Sequence, residues 1–178
     1  MCNGALFFGA GPSSPGSDPG RARYPAKVLG NGLRELDRFL NILLDEVAAG
    51  AGWSAEDLAP LARTRNTPNK LAAVSLRMNI PAGHDVRLRA LGRCRDTLFH
   101  CNGIVRRGDR RHGTTLTLGW PSEARGGLSR ELQIGEHLSL SAADLAWICD
   151  FYVRIGDSLL ERAATGAAAL AVRSTTRS

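Results

Sequence analysis

The sequence predicts an all-α protein: a bundle of four to five helices with a small β-hairpin inserted before the last helix. Three observations predict it. Leu29, Leu33, Leu36, Leu40, Leu43 and Val47 recur at alternating spacings of four and three, the stripe of a bundle helix. Leu91, Cys94, Leu98, Cys101 and Val105 form a second stripe, and Leu145, Ile148, Tyr152, Ile155 and Leu159 step by three and four near the end. Between them, Thr115-Leu116-Thr117-Leu118 and Leu132-Gln133-Ile134 alternate with the period of two of half-buried strands.

Taken in order, residues 1–24 are rich in Gly, Pro and Ser and read as a flexible arm. Residues 1–20 lack the basic start and long apolar core of a secretory signal. A helical domain is expected over 25–166. Its first helix runs from Pro25, suited to a first turn, to Ala49, where Gly50-Ala51-Gly52 ends it. Ser54 and Asp57 form a capping pair for a short helix to about Arg63. Thr67-Pro68 opens a third, carrying Leu71, Val74 and Met78 and stopped ahead of Pro81. The fourth is expected from Asp85 to Val105, followed by a basic loop, Arg106 to His112. Strands are expected at Thr114–Trp120 and about Arg130–Leu140, joined by the turn-rich Pro121–Gly127. Ser141, with Asp144 three residues on, caps the last helix, and residues 167–178 read as a disordered tail.

A length of 178 residues suits one domain with its own core. No apolar run reaches membrane-spanning length, so no membrane partner is expected. Cys2, Cys94, Cys101 and Cys149 contain no C-x-x-C pair. On one helix Cys94 and Cys101 would stand about 10.5 Å apart, too far for a disulfide. His100 points away from the cysteine stripe, which argues against zinc; no metal and no cofactor is expected, and a reducing cytoplasm fits best. His84, in a Pro-Ala-Gly-His-Asp turn, reads as a helix-start residue, and Trp53, Trp120 and Trp147 read as packing residues.

Charge is concentrated rather than spread. Residues 86–112 hold eight arginines against Asp96 and Asp109, a surplus equal to the whole formal net charge of +6. That focus favours a polyanionic partner such as RNA. Arg93, Arg106, Arg107, Arg110, Arg111 and His112 are the candidate phosphate contacts.

Within the same stretch, Arg95-Asp96-Thr97-Leu98-Phe99-His100 brings a fixed cation, a carboxylate and an imidazole onto one helix. Arginine grips a phosphate with two parallel hydrogen bonds, and histidine trades protons near neutral pH. Asp96, four residues before His100, is placed to hold its tautomer. The bare Arg-to-His spacing arises by chance roughly half a time in so arginine-rich a chain. Arg107 to His112 is a second instance, and requiring a polar residue just after the arginine leaves only Arg95 to His100.

The helix face opposite the core stripe carries Gly92, Asp96, Phe99 and Gly103. A large apolar ring between two glycines suits close approach of a second copy; the plainer reading is weak helix propensity near the ends and a Phe that touches a neighbouring element. Residues five apart diverge by about 140° around a helix. One Arg95 and one His100 therefore do not converge, whereas a two-fold dimer with Gly92, Phe99 and Gly103 at its face surrounds a cleft with two of each.

An R-[polar]-x-x-x-H motif on a bundle helix of a small all-α protein resembles the HEPN superfamily (higher eukaryotes and prokaryotes nucleotide-binding). Many of its members are metal-independent endoribonucleases, often toxins of toxin–antitoxin or antiviral systems, with the motif at a dimer cleft. The resemblance implies that Arg95 and His100 are catalytic with Asp96 in support. It also implies RNA as substrate, a homodimer, and a protein antitoxin as partner where the member is a toxin. Asn is commoner than Asp at the supporting position. The alternative is a non-catalytic basic helical nucleic-acid-binding or interaction protein.

Overall fold

The computed structural model describes residues 25–80, 83–121 and 129–175, without the side chains of 129 and 166–175. The expected arm at 1–24 and most of the 121–127 turn lie outside the described residues. The order is α1 (Ala26–Gly50), α2 (Ala55–Arg63), α3 (Thr67–Met78), α4 (His84–Cys101), β1 (Thr115–Pro121), β2 (Ser129–Gln133) and α5 (Ala142–Thr175). The protein is a helical bundle with a two-stranded hairpin before its last helix, as the sequence predicts.

Local chemistry sets the helix starts. Ser54 Oγ accepts from the Asp57 N–H at 3.3 Å, and Asn66 Oδ1 accepts from the Asn69 N–H at 3.0 Å, ahead of Pro68 in the first turn. Ser141 and Asp144 form a reciprocal box: Oγ accepts from the Asp144 N–H at 3.1 Å while the Asp144 carboxylate accepts from the Ser141 N–H at 2.8 Å. Pro25 precedes α1 as its cap rather than entering the first turn. α5 continues to Thr175, so the tail expected to be disordered at 167–178 is helical as far as that residue.

α1 is the central helix and packs most extensively on α4, then on α5 and α3. Leu40, Leu44, Leu91, Leu98, Ile148, Ile155 and Leu159 are buried where the stripes meet. The hairpin pairs Leu116 with Leu132, both buried, and lays Leu118 and Trp120 into the same core beside α4.

Two expected boundaries are corrected. α4 stops at Cys101 instead of reaching Val105. Asn102 adopts φ 50°, Gly103 φ 82°, and the Gly103 N–H donates to the Thr97 carbonyl at 3.0 Å, a left-handed cap that turns the chain off the helix axis. Val105 still reaches the core, but from the loop. The expected strand at 130–140 is broken after Gln133 by Gly135 at φ 92°. Its second half returns along the α4 exit, where Ile104 bridges His137 and the Leu138 N–H donates to the Gly103 carbonyl at 2.7 Å.

α1 and α4 approach each other closely. A Cβ on Gly30 would stand 2.9 Å from the Phe99 backbone nitrogen, so the helices sit nearer than any side chain allows. Gly30→Val is expected to lower the unfolding free energy by about 1–3 kcal/mol through overpacking. At Gly92 a Cβ meets nothing within 4 Å. There, Gly92→Ala is expected to be neutral or to gain up to about 1 kcal/mol from helix propensity. Urea melts of the two variants check the contrast.

Candidate functional site

α4 carries the motif, and α1 supplies what surrounds it. Arg95 is three-quarters buried and held by two carboxylates. Its Nη1 donates to Asp37 of α1 at 3.2 Å, while Nη2 and Nε donate to Asp96 at 2.9 and 3.0 Å. Asp37 stands four residues after Leu33 and three before Leu40, on the edge of the α1 stripe, so the fold draws it inward. Burial raises its carboxyl above the ordinary aspartate value, and the Arg95 guanidinium opposes that rise. Tyr152 of α5 shares the neighbourhood, and burial, with the Asp37 charge added, pushes its hydroxyl well above the usual range.

His100 is exposed and does not join this cluster. The expected carboxylate clamp on its ring is absent: Asp96 accepts from Arg95, and among the described residues no hydrogen bond links it to His100. The i to i+4 spacing permits the pair, but the adjacent guanidinium is the stronger claimant. His100 instead meets the Phe99 ring edge-on, centroids 4.9 Å apart. Over that same ring lie Lys27 Nζ at 5.8 Å and Arg34 Cζ at 5.3 Å, both from α1 and both exposed. The ring that His100 touches is thus bordered by cations the motif itself does not contain.

The face expected to receive a second copy is largely used within the chain. Phe99 packs on Gly30 of α1. Gly103 has left the helix, and a Cβ there would stand 2.9 Å from the Leu138 carbonyl oxygen. Gly92 and exposed Asp96 keep open surroundings. Gly30 and Gly103 each admit a neighbouring backbone of the same chain, that of Phe99 and that of Leu138, whereas Gly92 meets none within 4 Å among the described residues.

Arg93 is also employed structurally. Its Nε lies 2.7 Å from Asp109 Oδ1, and Asp109 Oδ2 accepts from the Thr117 N–H and hydroxyl. Asp109 therefore ties the basic loop to both α4 and β1. Arg106, Arg107, Arg110, Arg111 and His112 are exposed, and none forms an ion pair among the described residues. Cys94 is buried, which pushes its thiol up to about 12 and leaves it a packing group.

Sequence reading missed Asp37, Lys27 and Arg34. A signal existed for Asp37, because a carboxylate on the margin of a leucine stripe needs a cation. None existed for Lys27 and Arg34, which only the α1–α4 packing brings to the Phe99 ring beside His100. Among the described residues no three His, Cys, Asp or Glu converge as metal ligands, and no helix is long and apolar enough to cross a membrane. Comparison with protein-family models, curated proteins and solved structures finds no match for this chain.

Proposed function

We propose that the protein is a metal-independent endoribonuclease of the HEPN type, cutting RNA to a 2′,3′-cyclic phosphate in a cleft between two copies of the chain. The observation that carries this reading is the surroundings of His100. It is exposed at the end of α4, bordered through Phe99 by Lys27 and Arg34, with Arg95 little more than a turn back. Arg106, Arg107, Arg110 and Arg111 follow, exposed and without an ion pair among the described residues, as cations for backbone phosphates.

In the proposed step the 2′-oxygen forms a bond to phosphorus as the bond to the 5′-oxygen breaks. His100 accepts the 2′ proton, and His100 of the partner subunit protonates the departing 5′-oxygen. A guanidinium has five N–H donors. Three of those on Arg95 are spent on Asp37 and Asp96, leaving one on each Nη for two phosphoryl oxygens of the transition state. Asp37 and Asp96 aim Arg95; they do not touch the reacting atoms. The wide angle between Arg95 and His100 around α4 supports a dimer, with Gly92 and Asp96 as the open part of its face. A toxin or antiviral-defence role, and a protein antitoxin covering the loop arginines, belong to the same proposal.

One observation favours a second reading. Arg95 is already neutralised by two carboxylates, which suits a non-catalytic basic protein that binds nucleic acid through its loop. Incubating total RNA with the protein in EDTA, beside Arg95→Ala and His100→Ala variants, separates the two. Cyclic-phosphate ends made by wild type and lost in the variants support the enzyme. Equal cutting by His100→Ala overturns it, and salt-sensitive binding without cutting supports the second reading.

A further inference from the structure

Most arginines of α4 hold a carboxylate: Arg89 pairs with Asp85, Arg93 with Asp109, and Arg95 with Asp37. Arg87 does not. Among the described residues neither Arg87 nor Arg154 of α5 forms an ion pair. Both gather instead around one indole. The Arg87 Cζ lies 4.8 Å from the Trp147 ring centroid and 5.9 Å from that of Phe151, and the Arg154 Cζ lies 5.9 Å from Trp147. Trp147 and Phe151 stack with centroids 5.5 Å apart and planes 11° from parallel, and His84 meets Phe151 edge-on at 5.6 Å. His84 is held below the ordinary histidine value by burial and then by Arg87 and Arg154, while Asp85 opposes them. The three basic groups therefore share one positive neighbourhood.

A guanidinium stacked on a ring spends its face and keeps the N–H donors of its edge. Two such groups ordered around one indole, with no carboxylate to satisfy them, form a receptor for phosphoryl oxygens. Trp147, half-buried, offers an aromatic surface beside them. The geometry points to a phosphodiester-binding site at Arg87 and Arg154, floored by Trp147, that grips single-stranded RNA away from the His100 end of α4. At the helical rise the two ends are about 20 Å apart along the axis, so only an extended strand engages both. The site rests on the ribonuclease reading for its ligand alone.

The test uses the full chain carrying His100→Ala, and a fluorescein-labelled single-stranded RNA of about 12 nucleotides. Anisotropy is followed across roughly 50 to 200 mM salt. Adding Arg87→Ala and Arg154→Ala is expected to weaken binding about tenfold and to lower the salt slope by roughly 1.4, each single-strand phosphate contact contributing roughly 0.7. Arg154→Glu alone, at an exposed position where folding is not at risk, moves affinity the same way. Unchanged affinity and slope in these variants overturns the site. So does a parent protein that binds no RNA, or one that prefers phosphatidylserine vesicles. Weaker binding in the double variant, with equal cutting by wild type and His100→Ala, keeps the RNA site and removes the catalytic reading. Cleavage that needs His100, with binding untouched by the double variant, removes the site alone.

Discussion

Replacing His100 by alanine is expected to lower RNA cleavage by about 10²–10⁴-fold, the usual contribution of a positioned general acid–base group. Stability should stay within about 0.5 kcal/mol of wild type, because the ring is exposed and makes no hydrogen bond among the described residues. That separation makes the variant informative. Arg95→Ala lacks it, since removing the guanidinium also strips Asp37 of its cation in a partly buried setting. A product ladder in EDTA, read beside a thermal melt of each variant, distinguishes lost chemistry from lost fold. Loss of cleavage in His100→Ala at unchanged melting temperature is the expected pair of results. Retained cleavage sinks the mechanism.

Asp45→Ala is expected to destabilise the α1–α3 contact strongly for a change at a partly exposed position. Lys70 of α3 is 1% exposed, and its ammonium donates to Asp45 at 2.7 Å, to the Asn41 side chain at 2.9 Å and to the Asn41 carbonyl at 3.3 Å. Removing the carboxylate leaves a buried cation with only dipoles around it. Breaking a buried pair from one side typically costs about 3–5 kcal/mol. Asp45 is 37% exposed in its side chain and water enters there, so about 2–3 kcal/mol is the expected loss. Lys70→Met removes the charge together with its need for a partner and keeps most of the packed volume. It should therefore cost no more than about 1 kcal/mol. Urea melts of both variants check the ordering. Equal losses would mean that Lys70 is held by the packing of its methylenes rather than by its charge.

The outline of the fold was legible because it is written in local terms. The caps at Ser54 and Ser141, the Thr67-Pro68 helix start and the alternation around Leu116 and Leu132 each need only a few neighbouring residues. The misjudged boundaries also have local marks. Asn102-Gly103 carries a left-handed cap signature inside an apolar stripe that continues to Val105, and the stripe hid it. Gly135 sits inside an apparent strand whose second half pairs with the α4 exit instead of with β1. In both places a glycine marked the break, and a hydrophobic pattern ran across it.

The candidate site was legible as an inventory and not as an arrangement. Arg95, Asp96 and His100 could be named from spacing, yet spacing paired Asp96 with the wrong neighbour. Phe99 stands out in the sequence as an apolar residue on a polar face, which leaves a neighbouring element and a second copy of the chain both open as its partner; the structure gives it Gly30 of α1. Trp147 packs, as its sequence context suggests, but also draws to its ring two arginines that form no ion pair among the described residues.

By itself the sequence determined the helix and strand types, the caps, the core stripes and the concentration of positive charge, because each depends on covalent neighbours within one or two turns. Only the tertiary structure decided which carboxylate holds Arg95, which cations lie over Phe99, where the Lys70 charge is satisfied, and which arginines stay without an ion pair among the described residues. Those choices join residues dozens of positions apart, Arg95 and Asp37 being separated by 58. They follow from how the helices pack: the α1–α4 approach that Gly30 permits places Asp37 on Arg95 and Lys27 and Arg34 over Phe99, and the α1–α3 contact satisfies Lys70.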